Sequence, residues 1–187
     1  MPEVPEFEKA LLEAEEKLSI SLEGICEITV HRDLDEKTME MVRLIDNEKF
    51  REELRYSREE LDERSISKGF FCIIAHLDGN PVGFDFGYQN EDENIFFSDD
   101  TATLIEGKGV GSVLFALEII HSFHEGYKET KLSTEEMDDQ GRPLMHIWGR
   151  MGFRVVAKES DGNIEMRLKL NPKIVQGIYE KYIKPGD

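Results

Sequence analysis

The sequence predicts an α/β domain in which a mixed, mostly antiparallel sheet is flanked by helices. Two segments alternate and turn like β-hairpins, one before the middle of the chain and one near its end. Between them, a strand-like run, a helical run, a second strand and a second helix follow one another. This order fits neither the regular alternation of a doubly wound sheet nor a block of strands followed by helices. No repeat or linker divides the 187 residues. We therefore expect one domain over residues 1–187, with a core over about 27–170 and an extra helix at each end.

Apolar spacing, caps and turn signals predict the individual elements. Before the middle of the chain, the predicted strands cover residues 27–31, 69–77, 82–88 and 94–105. The predicted helices there are one over residues 6–18, one capped by Asp35 and one through Phe50 and Leu54. A helical turn also begins at the capping-box residues Ser57 and Glu60. After the central helix they are a strand over 131–134, a helix from Pro143 to Gly152, a hairpin of strands over 153–158 and 164–170, and a helix over 172–182.

The stretch from residue 103 to residue 123 reads as a strand end, a turn with glycines at alternate positions, and an amphipathic helix. Gly107, Gly109 and Gly111 carry no side chain, so a ligand can approach the backbone closely. The first N–H groups of a helix have no partner within it and point outward, which suits a phosphate or pyrophosphate. Lys108 would add a positive charge. The spacing matches neither the P-loop nor Gly-x-Gly-x-x-Gly, and a tight turn without a ligand is the alternative.

Two segments resemble motifs of the GNAT superfamily of N-acetyltransferases. Residues 106–114, EGKGVGSVL, are similar to its acyl-CoA pyrophosphate loop, usually written Gln/Arg-x-x-Gly-x-Gly/Ala, with Gly109 and Gly111 on the two small positions. Residues 147–153, IWGRMGF, are similar to its Leu-Tyr-x-x-Leu-Gly-Phe segment. The two segments come in the family's order and at a similar separation. Either resemblance alone is weak, but the pair is fairly specific.

The resemblance implies a GNAT-like sheet with a splayed central strand pair. The strand before the glycine loop, 94–105, and the strand after the central helix, 131–134, would diverge, and the pantetheine arm of acetyl-CoA would insert between them. It also implies transfer of an acetyl group from acetyl-CoA to an amine by direct attack, with no covalent enzyme intermediate. The implied cofactor-binding residues are Thr103, Leu104, Ile105, Gly107, Lys108, Gly109, Val110, Gly111, Ser112 and Gly141, with Gln140 as a substitute for Gly141.

The catalytic residues are less well indicated. Asp99 and Asp100, at the end of the strand before the loop, are the candidates for the general base, and an exposed acidic turn is the alternative. Because side chains alternate along a strand, at most one of the two should face the cleft. Trp148 occupies the position of the family's Tyr, a frequent general acid. An indole N–H donates a hydrogen bond but does not titrate usefully, so Trp148 either orients the sulfur or packs in the core. Glu106 stands where the family has Gln or a basic residue.

The composition limits the class of partner. The chain has 23 Lys and Arg against 40 Asp and Glu, a net charge of −17. Nucleic-acid binding needs basic surface, so a nucleic-acid partner is excluded. The charge favours a cationic acceptor such as an amine, a polyamine or a basic peptide, although acidic surfaces also serve solubility. CoA is itself anionic and is repelled by the net negative charge of the chain. The loop must therefore bind the phosphates of CoA through short-range contacts.

Other features of the sequence favour a cytoplasmic enzyme. No apolar run approaches the roughly 20 residues that span a bilayer, and the acidic start is unlike a signal peptide, so we expect no membrane partner. Cys26 and Cys72 lie in apolar strand-like runs and are expected to be core residues rather than a disulfide or metal ligands. The apolar faces of the terminal helices are compatible with a homodimer. The alternative function is a catalytically inactive module of the same fold that binds CoA or a protein partner.

Overall fold

A seven-stranded sheet forms the centre of the computed structural model, which describes residues 2–50, 55–135 and 143–185. In chain order the strands are β1 (Cys26–His31), β2 (Phe71–Leu77), β3 (Asn80–Gln89), β4 (Ile95–Thr103), β5 (Glu129–Thr134), β6 (Arg154–Lys158) and β7 (Ile164–Lys169). The helices are α1 (Phe7–Leu22), α2 (Glu36–Lys49), α3 (Arg58–Ser65), α4 (Val110–His124), α5 (Leu144–Met151) and α6 (Pro172–Tyr182).

The strands lie in the order β1-β2-β3-β4-β5-β7-β6, and each neighbouring pair is antiparallel except β4 and β5. The parallel pairing of β4 with β5 covers three positions, from Ile95 opposite Glu129 to Phe97 opposite Lys131. Beyond them, β4 runs on to Thr103 and β5 to Thr134 without pairing to each other. The predicted mixed, mostly antiparallel sheet with a splayed central strand pair is therefore confirmed.

Helices cover both faces of the sheet and enclose two hydrophobic cores. On one face, α4 is buried over most of its length, and α1 and α6 pack against it. On the other face, α2 and α3 cover the ends of β2, β3 and β4. Because both faces are covered, consecutive β2 residues are buried on opposite sides: Phe71 and Ile73 face α1 and α4, whereas Cys72 and Ile74 face α2. This explains why β2 reads as a continuous apolar run.

The helix caps follow the sequence signals at most termini. The Asp35 side chain accepts a hydrogen bond from the Thr38 N–H at 2.8 Å, and Ser57 and Glu60 form both halves of a capping box. Pro143 is the N-cap of α5 rather than its first helical residue. The predicted helix through Phe50 is wrong at that residue, because the backbone there is extended (φ −111°, ψ 149°) and α2 ends at Lys49. Leu54 lies outside the described residues.

Several expected properties of the chain have a direct counterpart in the fold. Cys26 and Cys72 are buried and unoxidised, as core residues should be. Within the described ranges, none of the helices has the length and apolar character needed to cross a bilayer. On α6, Val175, Ile178 and Tyr179 are buried, whereas Ile174 and Tyr182 are only partly covered.

Candidate functional site

The glycine loop follows β4 and has a backbone conformation that favours glycine. Gly107 has φ 76° and Gly109 has φ 87°, both in the left-handed region. Gly109 is also the N-cap of α4. A Cβ atom built on either residue would meet no atom within 4 Å. The glycines are therefore needed for the turn, and the outer side of the loop is open to an approaching molecule.

The N-terminus of α4 presents backbone donors at this opening. No side chain caps it, and its first turn carries no acidic residue. The N–H groups of Val110, Gly111 and Ser112 have no acceptor within the helix, so the helix end can bind an anion. Val110 is buried and anchors the turn, whereas Ser112 is exposed. The Ser21 hydroxyl donates to the Lys108 carbonyl oxygen at 2.8 Å and fastens the loop to the end of α1.

The charges beside the loop favour an anion. Glu106, the acidic residue at the loop entrance, forms an ion pair with Lys49 of α2. The Glu106 carboxylate is therefore balanced by a cation from a neighbouring element. Lys108 is exposed on the loop itself. Glu106 differs from the Gln or basic residue that the family usually has at this position, and the neighbouring Lys49 compensates its negative charge.

Residues 103–105 carry the chain out of the sheet and into the loop. The Leu104 N–H donates to the Val82 carbonyl oxygen at 2.8 Å and extends the pairing with β3 by one residue. The Thr103 hydroxyl oxygen accepts a hydrogen bond from the Ile105 N–H at 3.1 Å. All three residues are half-buried and follow the part of β4 that has separated from β5. They therefore lie where the resemblance places the border of a pantetheine arm.

A β-bulge in β4 changes the direction of the two candidate acids. Asp100 pairs with Phe86 and Ser98 pairs with Gly87, so Asp99 is an extra residue between them. The extra residue interrupts the alternation of side chains. The simple alternation on which the sequence prediction relied is therefore interrupted, and both side chains lie on the face covered by α2 and α3.

The Asp99 carboxylate is held by three donors. It accepts hydrogen bonds from the Tyr56 hydroxyl, from the Tyr88 hydroxyl at 2.7 Å and from Arg64 Nε at 3.1 Å. Burial raises the pKa of both phenols, which therefore stay neutral donors. The Arg64 guanidinium also lies over the Tyr56 ring, 4.7 Å from its centroid. Its side chain is only 6% exposed, so these contacts hold Asp99 in place.

Asp100 is paired with a second buried carboxyl group. Asp46 of α2 is fully buried, accepts a hydrogen bond from the Tyr56 N–H at 2.8 Å, and is hydrogen-bonded to Asp100. A hydrogen bond between two carboxyl groups requires a proton on one of them. Burial, and then the charges of Asp46, Asp99 and Asp85, raise the pKa of Asp100 well above its ordinary value. A carboxyl group with a raised pKa suits proton transfer near neutral pH.

Trp148 packs between aromatic side chains. Its ring centroid lies 4.8 Å from that of Phe115 on α4 and 6.3 Å from that of Phe153. The half-buried indole therefore joins α5 to α4. This packing accounts for an aromatic residue at position 148 without a proton-transfer role. Gly141 and its neighbour Gln140, predicted to contact CoA, lie outside the described residues.

The acid cluster, by which we mean Asp46, Asp99 and Asp100, includes one residue, Asp46, that was not predicted from the sequence. Asp46 interrupts the apolar face of α2, because it follows the core residue Ile45 and lies four residues after the core residue Val42. An acid on an apolar helix face is the signal that could have found it. Nothing local in the sequence indicates the donors to Asp99, because their three hydrogen bonds span 11 to 43 residues of chain.

The described grooves lie away from this site. One of about 530 Å³ is formed by α5, α6 and β7, with Met151, Leu168 and Ile178 among its lining residues. A second of about 430 Å³ lies beside α5 and β6. The residues of the glycine loop and of the acid cluster line neither groove. The candidate site is instead the open cleft between the diverging β4 and β5, next to the α4 N-terminus.

Solved structures of N-acetyltransferases resemble this chain. The ribosomal-protein-S18-alanine N-acetyltransferase from Escherichia coli has a TM-score of 0.62 at 13% identity, over 77% of this chain and 94% of that one. The PaiA N-acetyltransferase from Thermoplasma acidophilum, in complex with coenzyme A, has a TM-score of 0.61 at 16% identity, over 76% and 99%. An acetyltransferase of the GNAT family from Streptococcus pneumoniae has a TM-score of 0.59 at 14% identity, over 78% and 100%.

Sequence comparison adds nothing to this structural likeness, since no protein-family model and no curated protein matches the chain. At such low sequence identities, a shared architecture establishes the fold. The reaction must be inferred from the residues of the site. The splayed strands, the glycine loop at the start of α4 and the order of the elements agree with the predicted architecture. The chain therefore has the fold of the GNAT N-acetyltransferases.

Proposed function

We propose that the chain is an N-acyltransferase that moves an acetyl group from acetyl-CoA to an amine. The observation that carries the proposal is the arrangement around β4. The strand separates from β5 after Phe97, bulges at Asp99, and then leads into the glycine loop at the start of α4. An anion site, an open cleft and a group able to take a proton thus follow one another along one strand.

The residues that would hold the cofactor fit its chemistry. The backbone of residues 107–112 presents N–H groups to open space, as pyrophosphate binding requires. Lys108 would add a cation, while Lys49 balances the acid at the loop entrance. Thr103, Leu104 and Ile105 would border the pantetheine arm along the unpaired edge of β4. The described residues form no pocket that would select the length of the acyl chain, so the choice of an acetyl group rests on the resemblance.

Acetyl-CoA supplies an activated thioester, so this chain needs few reactive side chains. A neutral amine attacks the thioester carbonyl, a C–N bond forms and the C–S bond breaks. Backbone N–H groups on the unpaired edge of β4 would polarise the carbonyl oxygen. Asp100, in its ionised form, would take the proton that the amine loses. Trp148 does not titrate, so the leaving thiolate would take its proton from water.

The acceptor in this proposal is a cationic amine. Three carboxyl groups, those of Asp46, Asp99 and Asp100, lie on the face of β4 covered by α2 and α3. Arg64 already compensates Asp99, which leaves the Asp46–Asp100 pair for the acceptor. The net charge of −17 would attract a cation over a longer range. Both features support a small amine or a basic peptide and oppose a nucleic-acid acceptor.

Acetyl-CoA binding tests the cofactor site directly. Gly111 is helical, and a Cβ there would meet only the Thr103 methyl group at 3.9 Å, so Gly111→Leu should fold while blocking the N–H groups. Gly177 of α6 is a matched control, since it is also helical and a Cβ there meets nothing within 4 Å. At one hundred times its Kd, acetyl-CoA should stabilise the parent chain and Gly177→Leu by about 2.7 kcal/mol. Gly111→Leu should lose most of this stabilisation in a thermal-shift assay.

Turnover is tested separately, by thiol release from acetyl-CoA with a panel of mono-, di- and polyamines and basic peptides. Release that depends on the amine supports the proposal. Binding of acetyl-CoA without release by any amine would contradict the enzyme and favour a non-catalytic module of the same fold. Absence of acetyl-CoA binding at millimolar concentration would contradict both.

A further inference from the structure

A second pair of buried carboxyl groups lies behind β4, on the face opposite the acid cluster. Asp85 of β3 and Glu118 of α4 are both 0% exposed. Glu118 is the acidic residue within the long apolar stretch of α4, and Asp85 lies between the core residues Phe84 and Phe86. Burying two carboxylates together without a cation is costly. Such a pair therefore calls for a physical explanation.

The hydrogen bonds show how the two groups are accommodated. The Thr101 hydroxyl donates to Asp85 Oδ2 at 2.6 Å. Among the described residues, Asp85 Oδ1 and both Glu118 oxygens are buried without a hydroxyl or amide donor at hydrogen-bonding geometry. The groups that act on them are instead each other, as two adjacent carboxyl groups. Two adjacent carboxyl groups can form a hydrogen bond to each other only when at least one of them carries a proton.

The surroundings favour keeping that proton. Burial raises the pKa of Glu118 to about 7 and the pKa of Asp85 well above its ordinary range. The titratable groups that act on the pair from neighbouring strands are Cys72 of β2 and Asp99 and Asp100 of β4, all acidic. Any negative charge on the two aspartates opposes a second negative charge on the pair, which should therefore carry no more than one at neutral pH.

The pair also holds the β4 bulge from behind. Thr101 follows Asp100 directly, and its side chain is hydrogen-bonded to Asp85. Ser98 precedes Asp99 and is buried on the same face, beside Glu118. The two bulge residues are thus flanked by side chains that lie against the pair. On the other face, Asp100 itself meets Asp46.

We infer that Asp85 and Glu118 are positioning residues that share a proton and, through Ser98 and Thr101, fix the bulge that presents Asp100 to the acceptor. This inference deepens the proposed function and rests on it for the role of Asp100. The shared proton and its effect on the bulge can be measured without any turnover.

The link between the pair and the reaction is tested at Thr101. Thr101→Val keeps the side-chain shape but removes the donor to Asp85, and Thr101→Ser keeps the donor. We expect kcat to fall about tenfold in Thr101→Val, with KM for acetyl-CoA unchanged, and to return to within about twofold of the parent in Thr101→Ser. A purely structural role would lower the Tm of Thr101→Val without changing kcat well below that temperature. That outcome would overturn the inference.

Carboxyl-carbon NMR of the uniformly ¹³C,¹⁵N-labelled full chain tests the shared proton. We expect one proton to leave the pair near pH 7 and the other to remain bound after that step. The backbone amide signals of Asp99 and Asp100 should shift with the first step. Glu118→Gln should remove this step, whereas Glu40→Gln, an exposed control on α2, should retain it.

Two ionised carboxylates at pH 6, or a step near pH 7 that the bulge amides do not follow, would overturn the inference. If no amine supports turnover but the NMR result is as expected, the proposed function fails and the proton-sharing pair stands. If turnover is found but both carboxyl groups ionise below pH 6, the inference fails and the proposed function stands.

Discussion

At the scale of single residues, Asp99 and Asp100 show how neighbouring groups of the same type acquire different properties. The bulge turns both toward α2 and α3. Asp99 meets Tyr56, Tyr88 and Arg64, which all donate hydrogen bonds to it. Asp100 meets another carboxyl group, which destabilises its ionised form. The second environment raises the pKa of Asp100 well above its ordinary range.

Asparagine substitutions separate the two roles. Asp100→Asn should lower kcat by about 100-fold or more with little change in KM for acetyl-CoA, because it removes the base. Asp99→Asn should lower the free energy of unfolding by about 2 kcal/mol, because two phenols and Arg64 lose a charged acceptor. Its kcat should fall less than that of Asp100→Asn. Steady-state kinetics and urea denaturation of both variants check this, and a larger kinetic defect in Asp99→Asn would contradict the assignment.

The pH dependence of activity follows from the same assignment. The base must be ionised, and the pKa of Asp100 is raised by its surroundings. As the pH falls, kcat should therefore decline at a higher pH than for an ordinary aspartate, whose pKa is about 3.9.

At the scale of secondary structure, α3 depends on its cap more than the longer helices do. It has eight residues, and Leu61 is its fully buried side chain. Its first turn is closed by the Ser57–Glu60 capping box, and its last turn supplies Arg64 to Asp99. Since short helices are marginal on their own, the two ends hold α3 over the acid cluster.

Removing the cap should therefore be measurable. Ser57→Ala should reduce the free energy of unfolding by about 1 kcal/mol, and Ser57→Thr, which keeps a hydroxyl group, should lose only a small part of that. Urea denaturation of the two variants against the parent chain provides the comparison. Equal stability of Ser57→Ala and the parent would show that α3 is held by Leu61 and Arg64 alone.

The elements themselves were largely predictable, because periodicity and capping are local. Asp35, Ser57 and Gly152 all mark helix ends where the sequence places them. The bulge was not predicted, since it depends on how β3 and β4 pair. Its signal is Gly87: a Cβ there would lie 2.3 Å from the Phe97 carbonyl oxygen. A glycine inside a strand often marks such a close approach of backbones.

The acid cluster and the Asp85–Glu118 pair were harder to predict, for two reasons. A charged residue in an amphipathic pattern is normally assigned to solvent, and Asp85 alternates with Phe84 and Phe86 as an outward residue would. Both faces of this sheet are covered by helices, so the outward position is buried as well. The contacts that bring these acids together join distant parts of the chain, which local patterns do not encode.

At the scale of the whole molecule, His121 joins several elements of the larger core. Its ring stacks on Phe71 of β2 with the centroids 3.7 Å apart. It also meets Phe7 of α1 and Phe96 of β4 edge-on, at 5.9 and 6.3 Å. Burial, and then the charges of Arg32 and His124, lower its pKa to about 3. The folded chain therefore holds this imidazole in its neutral form.

This neutral imidazole predicts a loss of stability in acid. The unfolded chain takes up a proton at His121 below about pH 6.5, whereas the folded chain resists it to about pH 3. The stabilisation is complete above pH 6.5 and is lost as the pH falls. Between pH 6.5 and 4.5 the parent should lose about 2 kcal/mol more than His121→Phe. Urea denaturation at several pH values measures this, and parallel pH curves would contradict a buried neutral His121.

The three-pair contact between β4 and β5 has a mechanical consequence. It is the seam between two half-sheets, β1 to β4 and β5 to β7, which are otherwise joined by helices and loops. A molecule bound in the gap between β4 and β5 would contact both half-sheets and bridge them. Amide hydrogens near the open end of the seam would then exchange with solvent more slowly, and the two halves would open together rather than separately. An occupant of the cleft would therefore also stabilise the contact between the two halves of the sheet.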